Sequence, residues 1–316
     1  MRLYRTLDGR RCLRKNHVMN VWNTLDAVTK PSRHNLWPEL KVAFSAHTPK
    51  PDVPVLFAAP HSGRCYPAAF CEQSALDAYT LRASEDAWVD ELFASASHYG
   101  ASTLIAHFPR AMVDANRDPA ELDPAMFEGF APGQPVKHSA RLSAGLGVIP
   151  RIVAANTAIY DHKLPFSEAI ARLHHLHGPY HQALGEMLKQ QNETHGSALL
   201  VDCHSMPSAC AANGPGGIAD FILGDGHGQT CDEALIAHME AVLRAMGYRV
   251  LRNTPYAGGY TTLRYGQPSL RFEAIQIEIN RALYMDESTQ QKHNGFTRLQ
   301  RNMDVLSQDI CAFTGS

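Results

Sequence analysis

Two histidines occupy positions where a metal ion or an acid/base group would be useful. His61, in VPVLFAAPHSG, and His204, in SALLVDCHS, each follow an apolar strand-forming run and open a loop. In α/β sheets ligands gather at the carboxyl ends of the strands, so this shared placement speaks for function more strongly than either histidine alone. A catalytic zinc held by two histidines commonly takes a carboxylate as third ligand and leaves the fourth position to water. The carboxylates on offer are Glu85 and Asp86 of SEDAWVDELF, both in the first turn of an expected helix, where Glu85 suits the helix dipole.

Glu278 supplies a possible base. In AIQIEIN, residues Ile275, Ile277 and Ile279 share one face of a strand, and Gln276, Glu278 and Asn280 share the other. A carboxylate in such a core strand is costly unless it is paired, near a metal or at work, and Arg281 is its nearest candidate partner. Apolar surroundings raise its pKa toward that of a general base, whereas a metal lowers it.

Arg110, Asp114, Asn116 and Arg117 crowd one polar loop, where the planar fork of Arg117 suits a substrate carboxylate or an oxyanion. In PYAGGYTT, Tyr256, Gly258, Gly259, Tyr260 and Thr261 suggest a flexible lid or substrate wall, because paired glycines permit positive φ. HHLHGPYH (174–181) looks like a metal box, but it lacks HExxH and Gly178-Pro179 interrupts it, so it reads as surface helix. Ser62 and Ser205 lack a G-x-S-x-G elbow, and Cys203 points away from its neighbour His204.

The elements that must position these groups alternate. Strands are expected at 53–59, 102–108, 197–205, 218–224, 248–253 and 270–283. Helices are expected at 84–100, 162–195 with a kink or break at Gly178-Pro179, 231–246 and 288–312. The pattern implies a three-layer α/β/α sandwich with a mixed, mostly parallel sheet. Residues 1–50, basic at the start and Pro-rich at the end, are expected to form a poorly structured or loosely packed leader before a single domain at 51–316.

Composition narrows the function. Of 316 residues, 45% are apolar and 19% charged, which excludes disorder, and the net charge of −2 offers no broad basic field for nucleic acid or an anionic membrane. No apolar run has the length of a membrane span. Seven cysteines without a CxxC pair argue against a disulfide framework and fit a reducing cytoplasm.

PHSGR, SEDAWVDELF, NRDP…ELDP, DCHSM, NTPYAGGYTT and QIEINRALYMDE, in this order, resemble the N-formylglutamate amidohydrolase family from about Val53 to Met303. The resemblance implies a phosphorylase/hydrolase-like fold and zinc-dependent hydrolysis of N-formyl-L-glutamate to formate and L-glutamate, a step of histidine degradation. It implies one Zn2+, or another divalent metal, on His61, Asp86 and His204, with Glu278 as base and Arg117 at the oxyanion. Arg110, Asn116 and the 256–261 segment would then bind a small N-acyl amino acid. The HxxE pair of zinc carboxypeptidases is absent, since Arg64 stands at the third position after His61. A deacylase of another N-acyl amino acid and a silent ligand-binding homologue are the alternatives.

Overall fold

The computed structural model describes residues 36–130, 133–153, 156–211 and 217–314, so most of the expected leader lies outside the described residues. Seven strands build one sheet: β1 (Phe44–His47), β2 (Val55–Ala59), β3 (Ser102–Ala106), β4 (Ala198–Met206), β5 (Phe221–Gly224), β6 (Val250–Arg252) and β7 (Phe272–Asn280). Their order is β1-β3-β2-β4-β7-β5-β6. The β1–β3 and β5–β7 pairs are antiparallel and the other neighbours parallel, so the mixed, mostly parallel sheet expected from the sequence is present. β1 precedes residue 51 and covers the edge of β3, so sheet residues begin ahead of the expected boundary.

The two-residue period of the strands divides the core. Val55, Phe57, Val201, Ile275 and Ile277 turn to one side and pack with α3 (Glu233–Ala245) and α5 (Gly295–Thr314). Leu56, Ala58, Leu200 and Ala274 turn to the other and pack with α1 (Phe166–Arg172) and α2 (Gly178–His195). On this second side the strands become polar toward their carboxyl ends, as Asp202 and His204 on β4 and Gln276 and Glu278 on β7. Parallel register sets Gln276 beside Asp202 and Glu278 beside His204. A helix layer on each face and a polar patch at one strand end therefore follow from the same alternation.

Two helix expectations change. The 84–100 segment is not one helix: a 3-10 turn ends at Ser84, a single α turn spans Val89–Leu92, and another 3-10 stretch runs Ala94–Tyr99 before Gly100 closes it in the left-handed region. Trp88 is itself left-handed, with φ 67°, which breaks the helical path and leaves Glu85 extended. The 162–195 segment does not break at Gly178-Pro179. The helical run passes through a π turn at Leu173–His177, and Pro179 falls in the first turn of α2, where a missing N–H is tolerated. Among the described residues, no helix is long and apolar enough to cross a membrane.

Candidate metal centre

His61 follows β2, Asp86 lies in the break before Trp88, and His204 sits on β4; all three are about 98% or more buried. One ligand atom from each lies within 4.8 Å of the others. Asp86 Oδ2 is the meeting point, 3.2 Å from His61 Nδ1 and 2.9 Å from His204 Nδ1. Loss of the helix is what brings Asp86 here. Its N–H donates to the His61 carbonyl at 3.0 Å, and Ser62 Oγ donates to the Asp86 carbonyl at 3.1 Å while accepting from Asp90 N–H. Gly63 lets the loop after His61 close on the chain after β3, because a Cβ there would lie 2.0 Å from the Phe108 carbonyl oxygen.

Each histidine has a second carboxylate behind it. His61 Nε2 donates to Asp114 Oδ1 at 2.7 Å, and His204 Nε2 lies 3.0 Å from Asp202 Oδ1. Such partners orient imidazole ligands and increase their basicity. A His61 ring carrying its only proton on Nε2, toward Asp114, would turn the Nδ1 lone pair toward a carboxylate oxygen. That buried arrangement is unfavourable unless a cation or proton lies between them. Two imidazole nitrogens and one carboxylate oxygen suit a divalent metal of the zinc type. His204 Nε2 also lies 3.0 Å from the Asn116 amide nitrogen, so Asn116 and Asp202 meet the same ring atom with opposite tautomer demands. A cation at Nδ1 favours the tautomer that donates to Asp202.

The charges are tightly matched. Burial pushes the Asp86 carboxyl up, but hydrogen bonds from His204 and His61 outweigh it and hold the group well below its ordinary range. Asp114 is likewise held low: burial is overcome by Arg117, His61 and Arg110. Burial opposes protonation of His204, yet Asp202 and Asp86 raise its pKa well above the ordinary value. Arg281 completes the set, donating to Asp86 Oδ1 at 3.1 Å. It therefore pairs with Asp86 in place of the Glu278 partnership considered from sequence. Glu278 is 7% exposed and accepts from Gln276 Nε2 at 2.7 Å. Burial, opposed first by His204, raises its pKa to about 7.

The two arginines sit differently. Arg117 is buried, with Nε donating to the Leu146 carbonyl at 2.9 Å, Nη1 to the Asn116 carbonyl at 2.7 Å and Nη2 3.8 Å from Asp114, so its fork is engaged as a brace. Arg110 remains partly exposed, bonded through Nε to Asp114 at 3.1 Å with Nη1 3.9 Å from Asp86. The 256–261 segment is anchored to β7 and to Asn116. Gly259 N–H donates to Gln276 Oε1 at 2.8 Å, and Thr261 N–H, in the first turn of α4 (Tyr260–Tyr265), donates to Asn116 Oδ1 at 2.8 Å. A Cβ on Gly259 would lie 2.3 Å from the Asn116 amide. Tyr256 is half-buried nearby, its phenol pushed up by burial, by Cys210 and by the Glu278 charge.

The model of the N-formylglutamate amidohydrolase family matches residues 53–285. The chain belongs to that family. It is 33% identical over 239 residues to the N-formylglutamate deformylase of Pseudomonas aeruginosa, covering 74% of this chain and 83% of that protein. The N-formylglutamate deformylase of Pseudomonas putida is 29% identical, with 75% and 83% covered. The crystal structure of N-formylglutamate amidohydrolase from Ralstonia eutropha JMP134 superimposes with a TM-score of 0.82 at 36% identity, covering 87% of this chain and 99% of that one.

Within this amidohydrolase, sequence reasoning missed Asp202 as the partner of His204, although their spacing of two already puts both on one strand face. It named Asp114 without its role behind His61. It also misplaced the 174–181 histidines: His177 and His181 are buried against the 114–118 loop, not on the surface. Burial lowers His177 from 6.5 to about 4 and lowers His181 well below its ordinary value. Both folded pKa values lie below the unfolded one. Stability from the neutral rings is therefore full above pH 6.5 and is lost as pH falls toward 4. At 1.36 kcal/mol per pKa unit, His177 alone contributes about 3 kcal/mol to this loss. Urea midpoints at pH 7, 5.5 and 4.5 should fall less steeply for His177→Gln than for the parent; equal slopes would refute the assignment.

Proposed function

We propose that this amidohydrolase is a zinc-dependent N-formylglutamate deformylase that hydrolyses N-formyl-L-glutamate to formate and L-glutamate. The reading is carried by the buried His61, Asp86 and His204 set, with Glu278 on the adjoining strand in register with His204. It is supported by the relatives from two Pseudomonas species, which bear the deformylase name. We place the catalytic domain at 51–316, with the preceding residues adding an edge strand, and the enzyme in the cytoplasm.

His61, Asp86 and His204 would hold a divalent cation, which would supply Lewis acidity for polarising an acyl oxygen and for making water a better nucleophile near pH 7. Glu278 takes a proton from the water that adds to the formyl carbon. When the C–N bond breaks, the same carboxyl returns the proton to the departing amine nitrogen, so one residue serves as base and then acid. Burial, which raises this carboxyl toward the working pH against the pull of the cation, suits that double duty. Arg110, the arginine with its fork still partly accessible, takes the oxyanion role expected of Arg117 or receives a substrate carboxylate. Tyr256, Gly258, Gly259, Tyr260 and Thr261 form the wall against which the amino-acid part rests, and Asn116 joins that wall to His204.

The test is metal removal and return followed by a substrate panel. Chelated protein should lose activity and regain it with one equivalent of Zn2+. Its kcat/KM should be at least tenfold higher for N-formyl-L-glutamate than for N-acetyl or N-succinyl amino acids. Activity indifferent to metal sinks the mechanism, and preference for another acyl group sinks the substrate assignment.

A further inference from the structure

His177 and His181 lie one helical turn apart, at the junction where the π turn gives way to α2. Their ring centroids lie 4.4 Å apart with the planes tilted by 42°, and both rings bond the loop that follows Phe108. His181 Nε2 bonds the Ala115 carbonyl at 2.8 Å, and His177 Nε2 bonds the Arg117 carbonyl at 3.0 Å. The two carbonyls flank Asn116, whose amide meets His204 and whose preceding neighbour but one, Asp114, holds His61. Burial keeps both rings neutral, and a neutral ring bonded to a carbonyl through Nε2 carries its proton there. His181 is fixed in turn by the Tyr265 hydroxyl, 3.0 Å from its Nδ1, with the ring planes 10° apart.

We infer that His177 and His181 are positioning residues of the metal centre: two neutral Nε2–H donors that clamp the backbone on either side of Asn116. The clamp fixes from behind Asp114, which takes the His61 Nε2 proton, and Asn116, which packs against His204. α4, whose Tyr260 and Tyr265 pack against the same two rings, also holds Asn116 through Thr261 N–H and the bare Gly259. The π turn has a use here. Its extra residue per turn shifts the register of the helix, a device often found at functional sites.

The inference rests on the reading that His61, Asp86 and His204 hold a metal. Glutamine places an N–H donor near the ring Nε2 position, whereas asparagine places one near Nδ1, too short to reach the carbonyls. Zn2+ affinity, measured by competition with a chelator, should stay within about threefold of the parent in His177→Gln and His181→Gln. It should fall about 10-fold to 100-fold in His177→Asn and His181→Asn, the range seen when groups behind metal ligands are lost. At saturating zinc, kcat on N-formyl-L-glutamate should still fall in the Asn variants and hold in the Gln variants, with KM changed less than kcat, because the loaded centre is misplaced. Should an Asn variant fail to fold, Tyr265→Phe, which frees His181 Nδ1, should still weaken Zn2+ several-fold.

Equal Zn2+ affinity in folded Gln and Asn variants overturns the clamp, as does a Gln variant that binds as weakly as its Asn counterpart. A Tyr265→Phe protein with unchanged affinity does the same where it stands in for an Asn variant. Failure of the parent itself to bind Zn2+ removes the metal reading and the clamp together. Parent binding with unaffected variants removes the clamp alone.

Discussion

Glu278→Gln should retain the metal and lose turnover. The substitution preserves shape, and its side-chain oxygen can still accept from Gln276 Nε2, which lies 2.7 Å from Oε1 in the parent. The sheet register that sets residue 278 beside His204 depends on backbone hydrogen bonds and on Ile277 and Ile279 facing the opposite layer, neither of which the change touches. What disappears is the ability to accept and release a proton. General acid/base catalysis contributes about 10²-fold to 10⁴-fold, and kcat should fall by that factor with KM changed only modestly. Zinc content should remain one per chain. The acid limb of the pH profile, set in the parent by a carboxyl that burial raises to about 7 before metal binding lowers it, should vanish from the residual activity. Turnover within threefold of the parent would remove Glu278 from the mechanism. Loss of zinc in the variant would instead make it a structural neighbour of the ligands.

Much of this centre is written in local patterns. His61 and His204 were found because each closes an apolar run, and Glu278 because strand periodicity isolates it from three isoleucines. The same periodicity contains Asp202, two residues before His204, but only the parallel pairing of β4 with β7 gives it Gln276 as a neighbour. Asp86 could not be separated from Glu85 because the expected helix offered both the same first turn. The separation depends on the left-handed Trp88, which is flanked by Arg64 and Lys292, each with its charge 4.6 Å from the ring centroid. Lys292 is more than two hundred positions away in sequence.

The histidine run misled for a related reason. HHLHGPYH has no apolar residue at most positions, and a polar helical stretch is ordinarily solvated. Its two deepest rings instead satisfy carbonyls from a loop about sixty residues earlier, and backbone acceptors carry no side-chain signature. Arg117 shows the same limitation: its carbonyl partners, Leu146 and Asn116, cannot be read from residue types. Residues that close an apolar run or break a strand's alternation were legible. Those held by distant backbone were not.

Asp86→Ala should cost both metal and stability, and the two losses can be measured separately. The carboxylate divides its oxygens: Oδ2 faces His61 and His204, while Oδ1 receives Arg281 Nη2 at 3.1 Å and lies 3.4 Å from Ser205 Oγ. Removing it takes away the anionic ligand and leaves Arg281, itself nearly buried, without that counter-charge. Breaking a buried ion pair from one side costs about 3 to 5 kcal/mol, and this loss should appear in urea denaturation of chelated protein, where zinc plays no part. Zn2+ affinity should fall by more than the 10-fold to 100-fold typical of groups behind the ligands. Glu85→Gln is the contrasting variant. Its carboxylate is equally buried but accepts from Arg82 Nε at 3.1 Å and does not join the histidines, so zinc affinity should be unchanged. The adjacent acids thus have separate duties, because Asp86 alone of the two faces both imidazoles. Tight zinc binding by Asp86→Ala, or its loss in Glu85→Gln, would reverse the assignment.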